Sequence, residues 1–241
     1  TDTDTDTDTD TDTDNDTDTD NDTDTDNDTD TDDNVSFCPT DGSVCKILPL
    51  GDSITDGFNS PGGYRIELFR LASQNNKNIS FVGGSSNGPA TVDGKSFPQN
   101  HEGHSGWTIS QIDTIVQSYA LNPNPHITLL HIGTNDMYQS PTGAADRLAA
   151  LIDRITNALP SSLLAVSTIV PFPMASAAVE TYNRDLKNVV QERIASGANI
   201  IFVDQFSGFP TSELDDGVHP NDAGYARMGN VWYEAISKFL N

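Results

Sequence analysis

Along the chain, short runs of consecutive apolar residues alternate with longer stretches in which apolar positions return every three or four residues. The runs are Lys46-Ile47-Leu48-Pro49-Leu50, stopped by Gly51, then Ile79 to Val82, Ile127 to Ile132, Leu163 to Val170 and Ile200 to Val203, each flanked by turn residues. Such runs predict buried strands. The helical-period stretches are Gly63 to Gln74, where Leu68, Leu71 and Ala72 share a face, and about 108–120, 142–159, 175–196 and 222–240. Strand alternating with helix predicts parallel strands joined by right-handed crossovers, with helices on both faces. The expectation is an α/β fold, a three-layer α/β/α sandwich with a five-stranded parallel sheet, flavodoxin-like. In open sheets of this class ligands bind beyond the carboxyl ends of the strands, so functional residues are expected to cluster there.

Residues 1–33 depart from this pattern, containing only Thr, Asp and a few Asn. A segment without apolar residues cannot offset the entropy of ordering its backbone, so 1–33 is expected to be a disordered, self-repelling Thr/Asp-rich linker. The remainder, 34–241, has the size of one domain. The 17 Asp of the linker account for most of the net charge of −24 and leave −7 for the domain. With only 12 Lys and Arg in all, nucleic acid and anionic membrane surfaces are excluded as main partners. No apolar run approaches the roughly 20 residues needed to cross a bilayer. The chain starts at Thr1 with neither Met nor a signal-like stretch, as expected of a mature or excised piece. The linker reads as a spacer able to join another module such as a carbohydrate-binding domain. A calcium-binding array is the alternative, disfavoured because the turn Gly and terminal Glu of the EF-hand pattern are missing.

Cys38 and Cys45 lie close together before the first strand, where a bridge would pin the linker to the domain and indicate an oxidising compartment; two free thiols are the other reading. Acceptor triplets for glycosylation open at Asn15, Asn21, Asn27, Asn34 and Asn78 and lean the same way, towards a secreted, extracellular protein.

Three segments carry chemistry. Gly51-Asp52-Ser53-Ile54 follows the first strand and puts Ser53 at its carboxyl end, although Gly-Asp-Ser is also common turn and capping chemistry. Gly133-Thr134-Asn135-Asp136 follows the third strand, so the Asn135 amide is expected at the same edge, able to donate to an oxyanion; a turn-forming Asn is the bland reading. Asp216-Gly217-Val218-His219-Pro220 lies between the last strand and the last helix. Its Asp-x-x-His spacing lets a carboxylate bond one ring nitrogen while the other faces a serine. Asp215 lacks that spacing. His101-Glu102-Gly103-His104 has one residue too few between the histidines for the zinc-protease pattern, so its residues are read as shaping the pocket rather than holding a metal. Trp107 is open to two readings, a sugar-stacking face or core filling. Tyr138 and Phe172 follow strands and are weaker candidates for contact with a sugar.

Together with Gly106, these segments resemble the four blocks of the SGNH, or GDSL-type, hydrolases, with Ser53, Gly106, Asn135 and His219 as the four named residues. The longer stretches Leu48-Pro49-Leu50-Gly51-Asp52-Ser53-Ile54-Thr55-Asp56-Gly57 and His101-Glu102-Gly103-His104-Ser105-Gly106-Trp107, with Gly62-Gly63-Tyr64-Arg65 and Phe81-Val82-Gly83, resemble carbohydrate esterase family three, the acetylxylan esterases. The Gly106 block lacks a preceding Asn-x-Gly, so Gly106 is preferred to Gly103 on the following Trp107-Thr108. The resemblance implies a serine esterase removing acetyl groups from a plant polysaccharide, acetylated xylan first. In it Ser53 is nucleophile, His219 base and Asp216 its orienting partner, with an oxyanion hole from the Ser53 and Gly106 backbone and the Asn135 amide. That chemistry requires no metal or other cofactor. A lipase, thioesterase or arylesterase on the same fold, and a non-catalytic matrix or adhesion module with an acidic tail, are the alternatives.

Overall fold

In the computed structural model, which describes Thr1 and residues 36–241, every expected apolar run contributes a strand. The linker 2–33 and the acceptor triplets at Asn15, Asn21, Asn27 and Asn34 lie outside the described residues. The first half runs β1 (Cys45–Gly51), α1 (Ser53–Asp56), α2 (Tyr64–Gln74), β2 (Ile79–Phe81), β3 (Ser85–Ser86), β4 (Thr91–Val92), β5 (Lys95–Ser96), β6 (Asn100–Gly103) and α3 (Ile109–Val116). The second half runs β7 (Ile127–His131), α4 (Thr134–Gln139), α5 (Ala144–Ala158), β8 (Leu163–Ser167), α6 (Ser176–Ala195), β9 (Ile200–Val203) and α7 (Asp222–Ile236).

The expected five-stranded parallel sheet is corrected to a mixed sheet of seven strands among the described residues. β7 pairs with one edge of β1, β8 with β7 and β9 with β8, all parallel. The other edge of β1 is shared: β2 pairs with Cys45 to Ile47, and β6 with Leu50 and Gly51, both parallel. One strand position is thus split in two. The chain leaves the sheet after Phe81, makes β3 and the β4–β5 hairpin, and returns as β6, against which β3 lies antiparallel. β6 reads Asn-His-Glu-Gly and carries no apolar pattern, because His101 and Glu102 are buried by polar pairing rather than by apolar contact.

Alternate strand residues feed two apolar layers, as a pleated sheet covered on both faces requires. Ile47, Ile127, Leu129, Leu163 and Ala165 pack with Leu68 and Ala72 of α2 and Met228, Trp232 and Ile236 of α7. Leu48, Leu50, Leu130, Leu164 and Val166 pack with Ile112 of α3, Leu148 and Ile152 of α5 and Leu186 of α6. Burial of each of the Leu, Ile, Val and Met side chains among these stabilises the fold by about 1.5–3 kcal/mol. Cys38 and Cys45 are joined in a disulfide. Beside it Asn241 returns to the region before β1: its amide donates to the carbonyls of Cys38 and Pro39, each at 2.8 Å.

Candidate active site

Ser53 stands at the turn from β1 into α1. Gly51 is required there by close approach, since a Cβ would lie 2.0 Å from the His131 carbonyl oxygen. Asp52 caps the helix, its Oδ1 accepting from the Ile54 N–H at 3.0 Å. The capping carboxyl is fully buried; burial pushes its pKa up to about 7, with Asp136 adding repulsion and the Ile54 N–H opposing. Ser53 is helix position N1, where a backbone N–H has no intrahelical acceptor, and its N–H has no protein acceptor among the described residues.

The second element comes from the loop 214–220, closed on itself by the Leu214–Pro220 bridge and the Asp215 N–H to His219 carbonyl bond of 2.8 Å. Oδ1 of Asp216 accepts from the backbone N–H groups of Val218 (3.0 Å) and His219 (2.8 Å), and Oδ2 lies 2.7 Å from His219 Nδ1. Partial burial acts to raise the Asp216 pKa, but the hydrogen bonds from the His219 ring and then the two backbone groups outweigh it and hold the pKa at about 2. Nδ1 therefore donates to a carboxylate and Nε2 is left as the acceptor. Nε2 is 2.9 Å from Ser53 Oγ, across 166 residues of sequence.

Gly106 sits at the third position of the β-turn His104–Trp107, closed by the Trp107 N–H to His104 carbonyl bond of 3.1 Å, with φ of +80° as a type II turn needs. Its N–H also has no protein acceptor among the described residues. Asn135, in the first turn of α4, spends one amide hydrogen on the Trp107 carbonyl at 2.9 Å, and the other has no protein acceptor among the described residues. Ser53, Gly106, Asn135 and His219 all line one cavity of about 320 Å³. Gly103, the alternative to Gly106, faces away from it: a Cβ there would lie 2.2 Å from the Asp56 backbone nitrogen. Larger hollows, about 510 Å³ beside Ser60 and Asp222 and about 420 Å³ beside Pro141 and Asp185, hold no such serine–histidine pair.

His101 and Glu102 stand behind the turn rather than on the cavity wall. Glu102 Oε2 pairs with His104 Nε2 at 2.8 Å, and its other oxygen accepts from the Gly84 N–H. Trp107 stacks on His104, with centroids 4.2 Å apart and planes 18° apart, and packs against the apolar layer, so of its two readings the packing one describes it. Tyr138 and Phe172 do reach the cavity, joined by Phe58, Met174 and Val218, which sequence reasoning missed. Phe58 also lies against the His219 ring, centroids 4.4 Å apart. Its signal was a large apolar residue stranded in the glycine-bounded turn five positions after Ser53; Met174 carries no comparable signal.

The GDSL-like Lipase/Acylhydrolase family matches residues 50–227. The chain is 34% identical over 222 residues to a multidomain esterase of Ruminococcus flavefaciens, an alignment covering 81% of this chain and 29% of that protein. Among solved structures it is similar to a family 3 carbohydrate esterase of Clostridium thermocellum, with TM-score 0.73 and 35% identity, covering 81% of this chain and 96% of that one. A carbohydrate esterase family 3 structure from Talaromyces cellulolyticus shares the fold, with TM-score 0.72 and 24% identity over 81% of this chain and 97% of that one.

Proposed function

The chain belongs to the GDSL-like lipase/acylhydrolase family, and from that premise we propose that it is a secreted serine esterase removing O-acetyl groups from a plant cell-wall polysaccharide, acetylated xylan foremost. The observation that carries this reading is the continuous line from Asp216 through His219 to Ser53, opening on a cavity with three N–H donors that have no protein acceptor among the described residues. His219 Nε2 takes the Ser53 proton as Oγ attacks the acetyl carbonyl. Collapse of the tetrahedral intermediate breaks the ester bond, and the sugar oxygen leaves with the proton held by His219. Water, deprotonated in turn by His219, then releases acetate and restores Ser53. The Ser53 and Gly106 N–H groups and the Asn135 amide stabilise the oxyanion, each worth on the order of 3 kcal/mol of barrier.

The polysaccharide reading is supported by similarity to the clostridial carbohydrate esterase and by the exposed Tyr138 ring at the cavity mouth, suited to stacking on a sugar. Secretion is supported by the Cys38–Cys45 disulfide, which indicates an oxidising compartment. No helix among the described residues is long and apolar enough to cross a membrane. The linker, read as a spacer to another module, fits the likeness to a multidomain esterase of which this chain spans 29%. The apolar side of the cavity, formed by Phe58, Phe172, Met174 and Val218, favours a second reading, a hydrolase of longer acyl esters. Acetate release from acetylated xylan by wild type and Ser53→Ala, beside a series of longer-chain esters, tests both. The acetyl reading expects release by wild type, loss of at least 10³-fold in the variant, and a fall in rate with chain length.

A further inference from the structure

We infer that Asp56 is a positioning residue for this reaction: through Ser105 it holds the middle peptide of the His104–Trp107 turn so that the Gly106 N–H faces the cavity. The inference rests on the serine-esterase reading but not on the polysaccharide. Glycine at the third position of a β-turn tolerates both signs of φ, so the Ser105–Gly106 peptide is free on steric grounds to flip between turn types. A flip would carry the Gly106 N–H away from the place where the oxyanion forms. The orientation must therefore be held by bonds. The Asn135 amide fixes the far end of the turn through the Trp107 carbonyl, and the His104–Trp107 stack closes its base. At the residue from which the middle peptide hangs, the side-chain hold is Ser105 Oγ, which donates to Asp56 Oδ2 at 2.9 Å and fixes that end of the turn.

Asp56 is well anchored for that task. It is the last residue of the four-residue helix whose first residue is Ser53, so nucleophile and clamp share one rigid turn. Its Oδ1 accepts from the Asn87 amide at 2.6 Å, and its backbone carbonyl from the same amide at 2.9 Å. Asn87 is held by the buried Arg65, whose Nη2 donates to the Asn87 Oδ1 at 2.6 Å and to the Asp56 carbonyl at 3.3 Å. On the buried side His101 Nε2 approaches Asp56 Oδ1 at 3.6 Å. His101 Nδ1 accepts from the Gly103 N–H at 3.0 Å, so in the neutral ring Nε2 carries the hydrogen; burial first, then Arg65 and His104, lower its pKa to about 3 and keep it neutral. The geometry gives Asp56 a job that packing alone does not require, since its Oδ2 reaches out to the exposed Ser105 of the turn.

The test is a double-mutant cycle with 4-nitrophenyl acetate as substrate and an alkyl boronic acid as tetrahedral probe. Ser105→Ala removes an exposed hydroxyl at a residue that also lines the cavity, and is expected to lower kcat about tenfold at nearly unchanged KM and melting temperature, and to weaken boronate binding by the same factor. Ser105→Thr should recover most of the loss. Asp56→Ala/Ser105→Ala should lose no more than Asp56→Ala alone; where Asp56→Ala does not fold, the Ser105→Ala and Ser105→Thr arms decide. Wild-type kcat in Ser105→Ala, a loss confined to KM with boronate affinity intact, or multiplicative losses in the double variant each overturn the inference. Failure of the wild type to hydrolyse any acetate ester overturns instead the esterase reading beneath it.

Discussion

On one side of the cavity Ser53, the Gly106 turn and Asn135 are tied together by bonds between residues far apart in sequence, 49 for Asp56 with Ser105 and 28 for Asn135 with Trp107. On the other side Asp216 and His219 share one small loop, and every bond that orients the carboxylate spans two or three residues. The turn at Ser53 is buried, with Ser53 at 7% and Asp52 at 0% exposure, while Ser105 and Gly106 of the facing turn are exposed; on the other side the Asp216 side chain is open, at 44%. A carboxylate can thus be directed by local hydrogen bonds while half in water. Ser53 and the N–H groups of Gly106 and Asn135 need the rest of the domain to aim them.

The largest expected effect probes the open half. Asp216→Asn keeps the shape of the loop but removes the charge that fixes the tautomer of His219, and is expected to lower kcat by on the order of 10³-fold. A loss below tenfold would mean that the exposed loop is dispensable and the contrast is wrong. The next effect lies in the buried half and is one of stability. Native Asp52, with its pKa raised to about 7, favours the protonated form. Its penalty is absent below the unfolded value near 3.8 and grows as pH rises through about 7. Asp52→Asn, which retains a capping oxygen, should therefore gain on wild type by on the order of 4 kcal/mol between pH 4 and pH 8. Urea denaturation at the two pH values measures it; a difference independent of pH would show that the buried half carries no such cost. The smallest effect concerns the rim. Tyr138 is 75% exposed, and Tyr138→Ala is expected to raise KM for acetylated xylan about threefold to tenfold while affecting 4-nitrophenyl acetate less. Equal effects on both substrates would move Tyr138 from sugar contact to the reacting centre.

The same contrast explains what the sequence disclosed. The strands were legible because both faces of the sheet are covered by helices, which makes runs such as Ile127 to Ile132 apolar throughout. β6 was not, because His101 and Glu102 are buried against partners that no periodicity reveals. β3, β4 and β5 have two residues each, too few for any pattern, and α1 is a single turn. In the site, Asp216 and His219 were readable from a three-residue spacing because their contact is local. Ser53 and Asn135 were readable because each follows a strand at the edge where open α/β sheets bind ligands. The Asp56–Ser105 contact was not, since nothing at either position announces a partner 49 residues away. The split of the second strand position was hidden for a similar reason: residues 82–99 are polar and turn-rich, and only the completed sheet shows that β6 resumes the edge that β2 leaves.

The meeting of Asn241 with Cys38 and Pro39 has an engineering consequence. With Asn241 in hydrogen-bond contact with Cys38 and Pro39, a short peptide can join the two ends of residues 36–241 and that stretch can be reopened elsewhere. The tip of the β4–β5 hairpin, Asp93-Gly94, is exposed and absent from the wall of the catalytic cavity. A circular permutant cut there would interrupt neither the route from Ser53 to Asp56 nor the loop from Asp216 to His219, and would move Ser53 behind that loop, so that His219 precedes Ser53 along the new chain.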